Sequence, residues 1–269
     1  VLDRTRPFVK IQDGCDAHCT YCIIPEVRGR ARGADPRRVE AAIRTLIARG
    51  HFEIVLAGIH LGTYAHANAQ GETETLTDLV RRVLALEGLG RLRLSCIEPM
   101  AFPMELVRLA REDARFAPHF HLPLQSGSDR VLKRMVRPYR AQDYADLLAA
   151  IRRELPRACL GTDVIVGFPG ETDAEFEETL ELVGRIGLDY VHVFSYSDRS
   201  GTPATRLDGK VDPRVIKARS TALNARSREL YQAYLDRQVG RILPSVVLEP
   251  DARRPGGLRL GRSLARAAA

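Results

Sequence analysis

The chain has 269 residues, 45% hydrophobic and 28% charged, and carries a formal net charge of +7. That balance suits one large α/β domain, or one domain with a small appendix, and excludes a low-complexity or disordered chain. It holds no apolar run long enough for a membrane span, and its five cysteines, three of them clustered, fit a reducing, cytoplasmic setting better than a secreted disulfide framework.

The elements follow in order. Phe8 to Gln12 alternates and predicts a first strand that delivers Gly14 and a loop bearing Cys15, Cys19 and Cys22. Asp35-Pro36 predicts a helix start, an N-cap followed by proline, with Val39, Ile43, Leu46 and Ile47 as the apolar face and Gly50 as the stop. Glu53 to Ala57 reads as a buried strand. A polar loop through Gln70 leads to a helix with Leu76, Leu79, Val80, Val83 and Leu84 on one side. Arg91 to Ser95 alternates as a third strand, Pro103 to Glu112 as a helix, and His119 to Leu122 as a fourth strand. Ala141 to Glu154 is helical by pattern, with Leu147, Leu148 and Ile151 toward the core. Leu160 to Val166 is a fifth strand. Thr172 and Glu175 predict a capping box for the next helix, and Tyr190 to Phe194 is a sixth strand. A last helix starts at Asp212-Pro213 and runs to about Arg237.

Six strand–helix alternations predict parallel βα units, a wound sheet or an open barrel, in which chemistry collects at the carboxyl ends of the strands. The unusual loops fall there: Cys15–Cys22, Gly58–Gly62, Glu98-Pro99, Pro123–Ser128, Gly167–Thr172 and Tyr196–Thr202. From about Val239 the composition changes. Arg241 to Leu248 reads as one strand of a small β module, and the tail from Asp251 as disordered.

The spacing C-x-x-x-C-x-x-C is the most informative motif. Three thiolates on one loop can hold three corners of an iron–sulfur cube and leave one iron open to a small molecule. Zinc is the competing metal because His18 lies inside the motif. However, His18 directly precedes Cys19, so the two side chains diverge, and no second cysteine pair follows. Three structural free cysteines are the remaining alternative. Arginine dominates the basic residues, lysine standing only at Lys10, Lys133, Lys210 and Lys217. The positive balance admits a nucleic-acid partner and equally a solvated surface shaped by base composition.

With its flanks Val9-Lys10-Ile11-Gln12-Asp13-Gly14 and Thr20-Tyr21-Cys22-Ile23-Ile24-Pro25, the cysteine loop resembles that of the radical S-adenosylmethionine methylthiotransferases. The resemblance continues through His121–Ser128, Thr162–Thr172 and Tyr196–Thr202, and covers roughly positions 6 to 248. Gly58–Gly62 and Ser95–Pro99 most resemble the branch acting on threonylcarbamoyladenosine beside the tRNA anticodon. Sibling branches acting on isopentenyladenosine in tRNA or on a ribosomal protein are the alternatives, as is a non-catalytic tRNA-binding fragment.

The resemblance implies an open, partial (β/α)6 TIM-like barrel over residues 1–238. Residues 239–269 would be the remnant of a TRAM-like β module and a disordered tail. Cys15, Cys19 and Cys22 would ligate a [4Fe-4S] cluster whose open iron chelates S-adenosyl-L-methionine, and the resulting 5′-deoxyadenosyl radical would act at C2 of adenine. Cofactor contacts would come from Gly58, His60, Gly62, Glu98, Gln125, Ser126, Ser128, Asp163 and Val166. Arg28 and Arg199 would meet the substrate, with guanidinium forks suited to phosphate or carboxylate. The implied partners are the tRNA anticodon loop and an electron donor such as a flavodoxin or ferredoxin, with a monomeric enzyme and no membrane. The family's amino-terminal domain, with three further cysteines, is expected to be missing here, as is most of its TRAM domain, and complete sulfur transfer would need what they supply.

Overall fold

A computed structural model of the chain describes residues 5–67, 71–243, 245–250 and 258–263, the stretches from 247 on by backbone course alone. Six strands run parallel in chain order: β1 (Phe8–Lys10), β2 (Glu53–Ala57), β3 (Arg91–Leu94), β4 (His119–His121), β5 (Cys159–Val166) and β6 (Tyr190–Ser195). Phe8 faces Val55, Glu53 faces Arg91, His119 faces Cys159 and Tyr190 faces Gly161 across the ladders. Single parallel bridges, Leu92 to Phe116 and Cys96 to His121, join β3 to β4. Among the described residues β6 does not pair with β1, so the α/β barrel is open along that seam.

The main helices are α1 (Pro36–Ala48), α2 (Leu76–Leu84), α3 (Glu105–Glu112), α4 (Ala141–Glu154), α5 (Asp173–Arg185) and α6 (Pro213–Asp236). Their starts follow the predicted chemistry. The Asp35 and Asp212 side chains accept from the backbone N–H of Arg37 and Arg214 ahead of a proline, and Thr172 and Glu175 close a capping box. Each such cap is worth about 1 kcal/mol.

Alternation along the strands sends Ile54, Leu56, Leu92, Leu94, Phe120, Val164 and Val191 outward, where they are buried against the helices. The core-facing helix residues Val39, Ile43, Leu79, Val83, Leu148, Ile151, Phe176 and Val183 complete that layer, with Tyr144 taking the place expected of the half-buried Leu147. The opposite set, including Glu53, Val55, Arg91, Arg93, His119, His121 and Tyr190, faces the lumen and is buried as well. Here polar alternation marks an inner wall and not a solvent face.

Several expectations change. The polar loop before α2 carries a short antiparallel ribbon of Ala65–Ala67 with Thr73–Thr75, while its tip at 68–70 lies outside the described residues. The third helix starts at Glu105 and not at Pro103. The tail expected to be disordered from Asp251 contains a strand, Leu258–Ser263, antiparallel to Ser245–Pro250, because the second strand satisfies the backbone groups of the first. Residues 251–257 and 264–269 of that expectation lie outside the described residues.

Candidate active site

The cysteine loop leaves β1 through a two-residue ribbon, Gln12–Asp13 paired with Arg32–Gly33. Gly14 turns it at φ 72°, and a Cβ there would lie 2.0 Å from the Arg30 carbonyl oxygen, so only glycine fits. Every thiol of the loop receives a hydrogen bond. The Ala17 and Ile24 backbone N–H groups donate to Cys15 and Cys22 Sγ at 3.4 Å each, and Arg137 Nη1 donates to Cys19 Sγ at 3.2 Å. Burial pushes the Cys15 and Cys22 thiols up, an effect that metal ligation overrides by taking the thiolate directly. The positive charge of Arg199 pulls Cys22 the other way, which places this exposed arginine within electrostatic reach of the loop.

Among the described residues, the one Cys/His/carboxylate group whose ligand atoms all lie within 4.8 Å of one another is Cys96, His121 and Asp163, and the three loop sulfurs are not gathered so tightly. Cys159 is buried in β5 and Cys96 opens onto the lumen.

Two residues that the sequence reading passed over organise this mouth. Gln12, 2% exposed, accepts from the Ile59 and His60 N–H groups at 2.9 and 2.8 Å and donates to the Gly14 carbonyl at 2.8 Å, tying the Gly58–Gly62 loop to the cysteine loop. Arg137 has a fully engaged guanidinium. It pairs with Glu98, donates from Nε to Tyr139 Oη at 3.0 Å and reaches Cys19, while its side chain is 1% exposed. Tyr139 in turn donates to the Leu124 carbonyl at 2.8 Å. Arg137 follows Val136, a β-branched residue held at φ 58°, a strained conformation that brings the guanidinium back over the loop. No pattern in Val136–Arg140 announces this role. A lone arginine after a short helix has no sequence signal.

The other candidates fall into three groups. Gly58 and Gly62 make room for protein: a Cβ would press on Gln12 and Leu61 at the first and on the Ala101 carbonyl oxygen, 2.4 Å away, at the second. His60 is buried, and burial lowers its pKa. The 125–128 loop is tied inward. Gln125, at φ 69°, pairs as a single bridge with Val164. Ser126 Oγ lies 3.4 Å from Thr179 Oγ1, and Ser128 Oγ donates to Glu175 at 3.4 Å. Ser128 is the N-cap position of the short helix Asp129–Arg134, yet its side chain makes no capping bond.

Asp163 faces the lumen, where His121 Nε2 lies 2.7 Å and His192 Nδ1 3.3 Å from its Oδ1. Burial would raise this carboxyl, but hydrogen bonds from the two histidines outweigh it and hold it at about 2. Tyr190 Oη joins His121 Nδ1 at 3.0 Å and His119 Nε2 at 2.8 Å, extending the network downward. Val166 ends β5 with its carbonyl accepting from Tyr196 N–H. Arg28, at the end of the single-turn helix Ile24–Arg28, is exposed and accepts from Arg32 through its carbonyl.

The Radical SAM superfamily model matches residues 9–183. Among curated proteins, the chain is 37% identical over 248 residues to threonylcarbamoyladenosine tRNA methylthiotransferase MtaB of Aquifex aeolicus, covering 92% of this chain and 60% of that one. The Bacillus subtilis protein of the same name is 40% identical over 242 residues, covering 90% and 53%. The tRNA-2-methylthio-N(6)-dimethylallyladenosine synthase of Desulfotalea psychrophila is also 40% identical, over 228 residues, covering 84% and 51%. The chain thus spans about half to three fifths of the length of these relatives. In fold it is similar to the radical S-adenosylmethionine methyltransferase TsrM of Kitasatospora setae, with TM-score 0.60 and 16% identity over 73% of this chain and 38% of that one. It is similar also to methylornithine synthase (PylB), with TM-score 0.54 and 14% identity over 97% and 74%. An open parallel barrel with a three-cysteine loop at its mouth and the matching family model lead to one conclusion: the chain belongs to the radical SAM superfamily.

Proposed function

We propose that this chain is the catalytic barrel of a tRNA methylthiotransferase whose substrate is an N6-modified adenosine beside the anticodon, with N6-threonylcarbamoyladenosine as the specific modification. The observation that carries the reading is the loop in which three cysteine sulfurs, each with its own N–H donor, sit at the mouth of a parallel barrel. Cys15, Cys19 and Cys22 would hold a [4Fe-4S] cluster, leaving one iron for the amino and carboxylate groups of S-adenosylmethionine. When bound, that pair supplies reductive opening of the sulfonium and a carbon-centred radical.

The chain's own residues position and shield. Arg137 steadies Cys19 and fixes the Glu98 carboxylate beside it. With the Ser126 and Ser128 hydroxyls held by Thr179 and Glu175, cofactor contacts at those loops would fall to backbone groups, and Gly58, His60, Gly62, Gln125 and Val166 would contribute in the same way. Asp163, ionised and fixed between His121 and His192, presents an ordered polar wall beneath the mouth. Arg28 and Arg199 stand exposed beside the loop as phosphate contacts for the tRNA, and a flavodoxin or ferredoxin would deliver the electron.

The test is anaerobic reconstitution of the chain. It should take up about four irons and four sulfides, absorb in the visible, and release 5′-deoxyadenosine when reduced with S-adenosylmethionine. Cys19→Ala should abolish all three. A folded, cluster-loaded chain that never cleaves S-adenosylmethionine would refute the reading.

A further inference from the structure

The inner wall gathers a thiol, an imidazole and a carboxylate from three neighbouring strands. Cys96, two residues past β3, forms a parallel bridge with His121 at the end of β4, and Asp163 of β5 is the register partner of His192 on β6. Cys96, His121 and His192 line a cavity of about 150 Å³, and Asp163 reaches both imidazoles. The ligand atoms of Cys96, His121 and Asp163 all lie within 4.8 Å of one another. Gly161, the register partner of both His121 and Tyr190, makes the convergence possible: a Cβ there would lie 2.0 Å from Tyr190 Cζ.

The chemistry of this set favours a cation. Cys96 is exposed to the lumen and not to bulk water. Its low-dielectric surroundings push the thiol up to about 12, with the Asp163 and Glu98 carboxylates adding to the effect. A divalent ion reverses that balance by taking the thiolate directly and releasing one proton. Thiolate and carboxylate each carry one negative charge and the imidazole carries none, so a divalent ion leaves the set neutral, the state a partly buried wall tolerates best.

Outer partners stand ready to orient each ligand. Tyr190 Oη lies 3.0 Å from His121 Nδ1 and 2.8 Å from His119 Nε2. When His121 Nδ1–H donates to Tyr190 and Tyr190 donates to His119, the lone pair of His121 Nε2 is left for the metal. His192 Nδ1, 3.3 Å from Asp163 Oδ1, holds the carboxylate from the other side. His121 Nε2 and Asp163 Oδ1 are 2.7 Å apart. Around a tetrahedral ion with bonds of about 2.0 Å they would stand about 3.3 Å apart, a small side-chain adjustment.

We propose that Cys96, His121 and Asp163 form a mononuclear site for a zinc-type divalent metal, separate from the cysteine loop, with Tyr190 and His192 orienting its ligands. One sulfur, one nitrogen and one oxygen suit a borderline-soft ion, whereas magnesium and calcium prefer oxygen alone. Three protein ligands leave a fourth position for water or for a nitrogen or oxygen atom of a molecule in the lumen. The inference is independent of the cluster reading, because no residue of the cysteine loop takes part.

The test uses the full chain with Cys15→Ser, Cys19→Ser and Cys22→Ser combined, so that the loop cannot bind the probe, and cobalt(II) added anaerobically as that probe. The expected result is one cobalt per chain, with a near-ultraviolet sulfur-to-cobalt charge-transfer band and the visible bands of tetrahedral cobalt. Cys96→Ser on this background should erase the charge-transfer band. Tyr190→Phe should weaken binding about ten-fold or more while the band stays. A second measurement needs no change in the loop: the cluster-loaded chain, exposed to zinc and desalted, should keep about one zinc per chain beside its iron, and Cys96→Ser should lose it. Cobalt that fails to bind at about 100 µM, cobalt bound without a sulfur band, or a band that survives Cys96→Ser overturns the site. So does a cluster-loaded chain that emerges from desalting without zinc.

Discussion

The mouth and the floor of this barrel are each organised around a buried arginine, and the two arginines are in opposite states. At the mouth, Arg137 spends its fork on Glu98, Tyr139 and Cys19, all supplied by the chain. At the floor, Arg93 shares Glu53 with Arg91 and Arg6 and keeps two terminal nitrogens without an acceptor. A saturated guanidinium builds a scaffold. An unsaturated one, equally buried, carries the desolvation cost of the nitrogens it leaves without an acceptor.

That contrast can be broken by measurement. Arg137→Met would strand Glu98 and leave Cys19 without its donor, so unfolding in urea should show a loss of about 3 kcal/mol; a loss under about 1 kcal/mol would mean the mouth is less finished than its contacts imply. Between the two arginines lies Asp163, whose carboxyl is depressed from 3.8 to about 2. A group depressed on folding stabilises the protein above its unfolded pKa and loses that contribution as pH falls through the folded one. The apo chain should therefore exceed Asp163→Asn by about 2 kcal/mol above about pH 4, and the two should converge toward about pH 2. A pH-independent gap would contradict the histidine contacts as its source.

Val136→Gly tests whether the mouth stores strain. Relieving a β-branched residue at φ 58° that is half exposed should raise stability by about 1 kcal/mol, read as a higher melting temperature. The smallest effect belongs to the floor. Arg93→Met removes a surplus charge and leaves Glu53 with two partners, so stability should stay within about 1 kcal/mol of the parent. A loss as large as that of Arg137→Met would show that Arg93 is scaffold after all, and would erase the distinction.

Much of this molecule can be read from residue patterns, and the part that cannot has a common cause. The six strands, the Asp-Pro and Thr-x-x-Glu helix starts and the cysteine loop are local signals, complete within a few residues. Gln12 and Arg137 act across 48 and 118 residues of chain, and nothing beside them in sequence marks the partner. The floor was hidden for a different reason. Arg91-Leu92-Arg93-Leu94 alternates as a half-solvated strand would, yet all four residues are buried, because the inner wall of the barrel replaces water on the polar face. Ser126 and Ser128 show the converse, since a motif at a strand end suggested ligand contacts where the hydroxyls turn inward to Thr179 and Glu175.

Gln12 bears on how the cysteine loop keeps its shape. One amide clasps the two segments that flank the sulfurs, so the outline of the receptacle is written in the polypeptide's own hydrogen bonds, and a change at position 12 would loosen both segments at once.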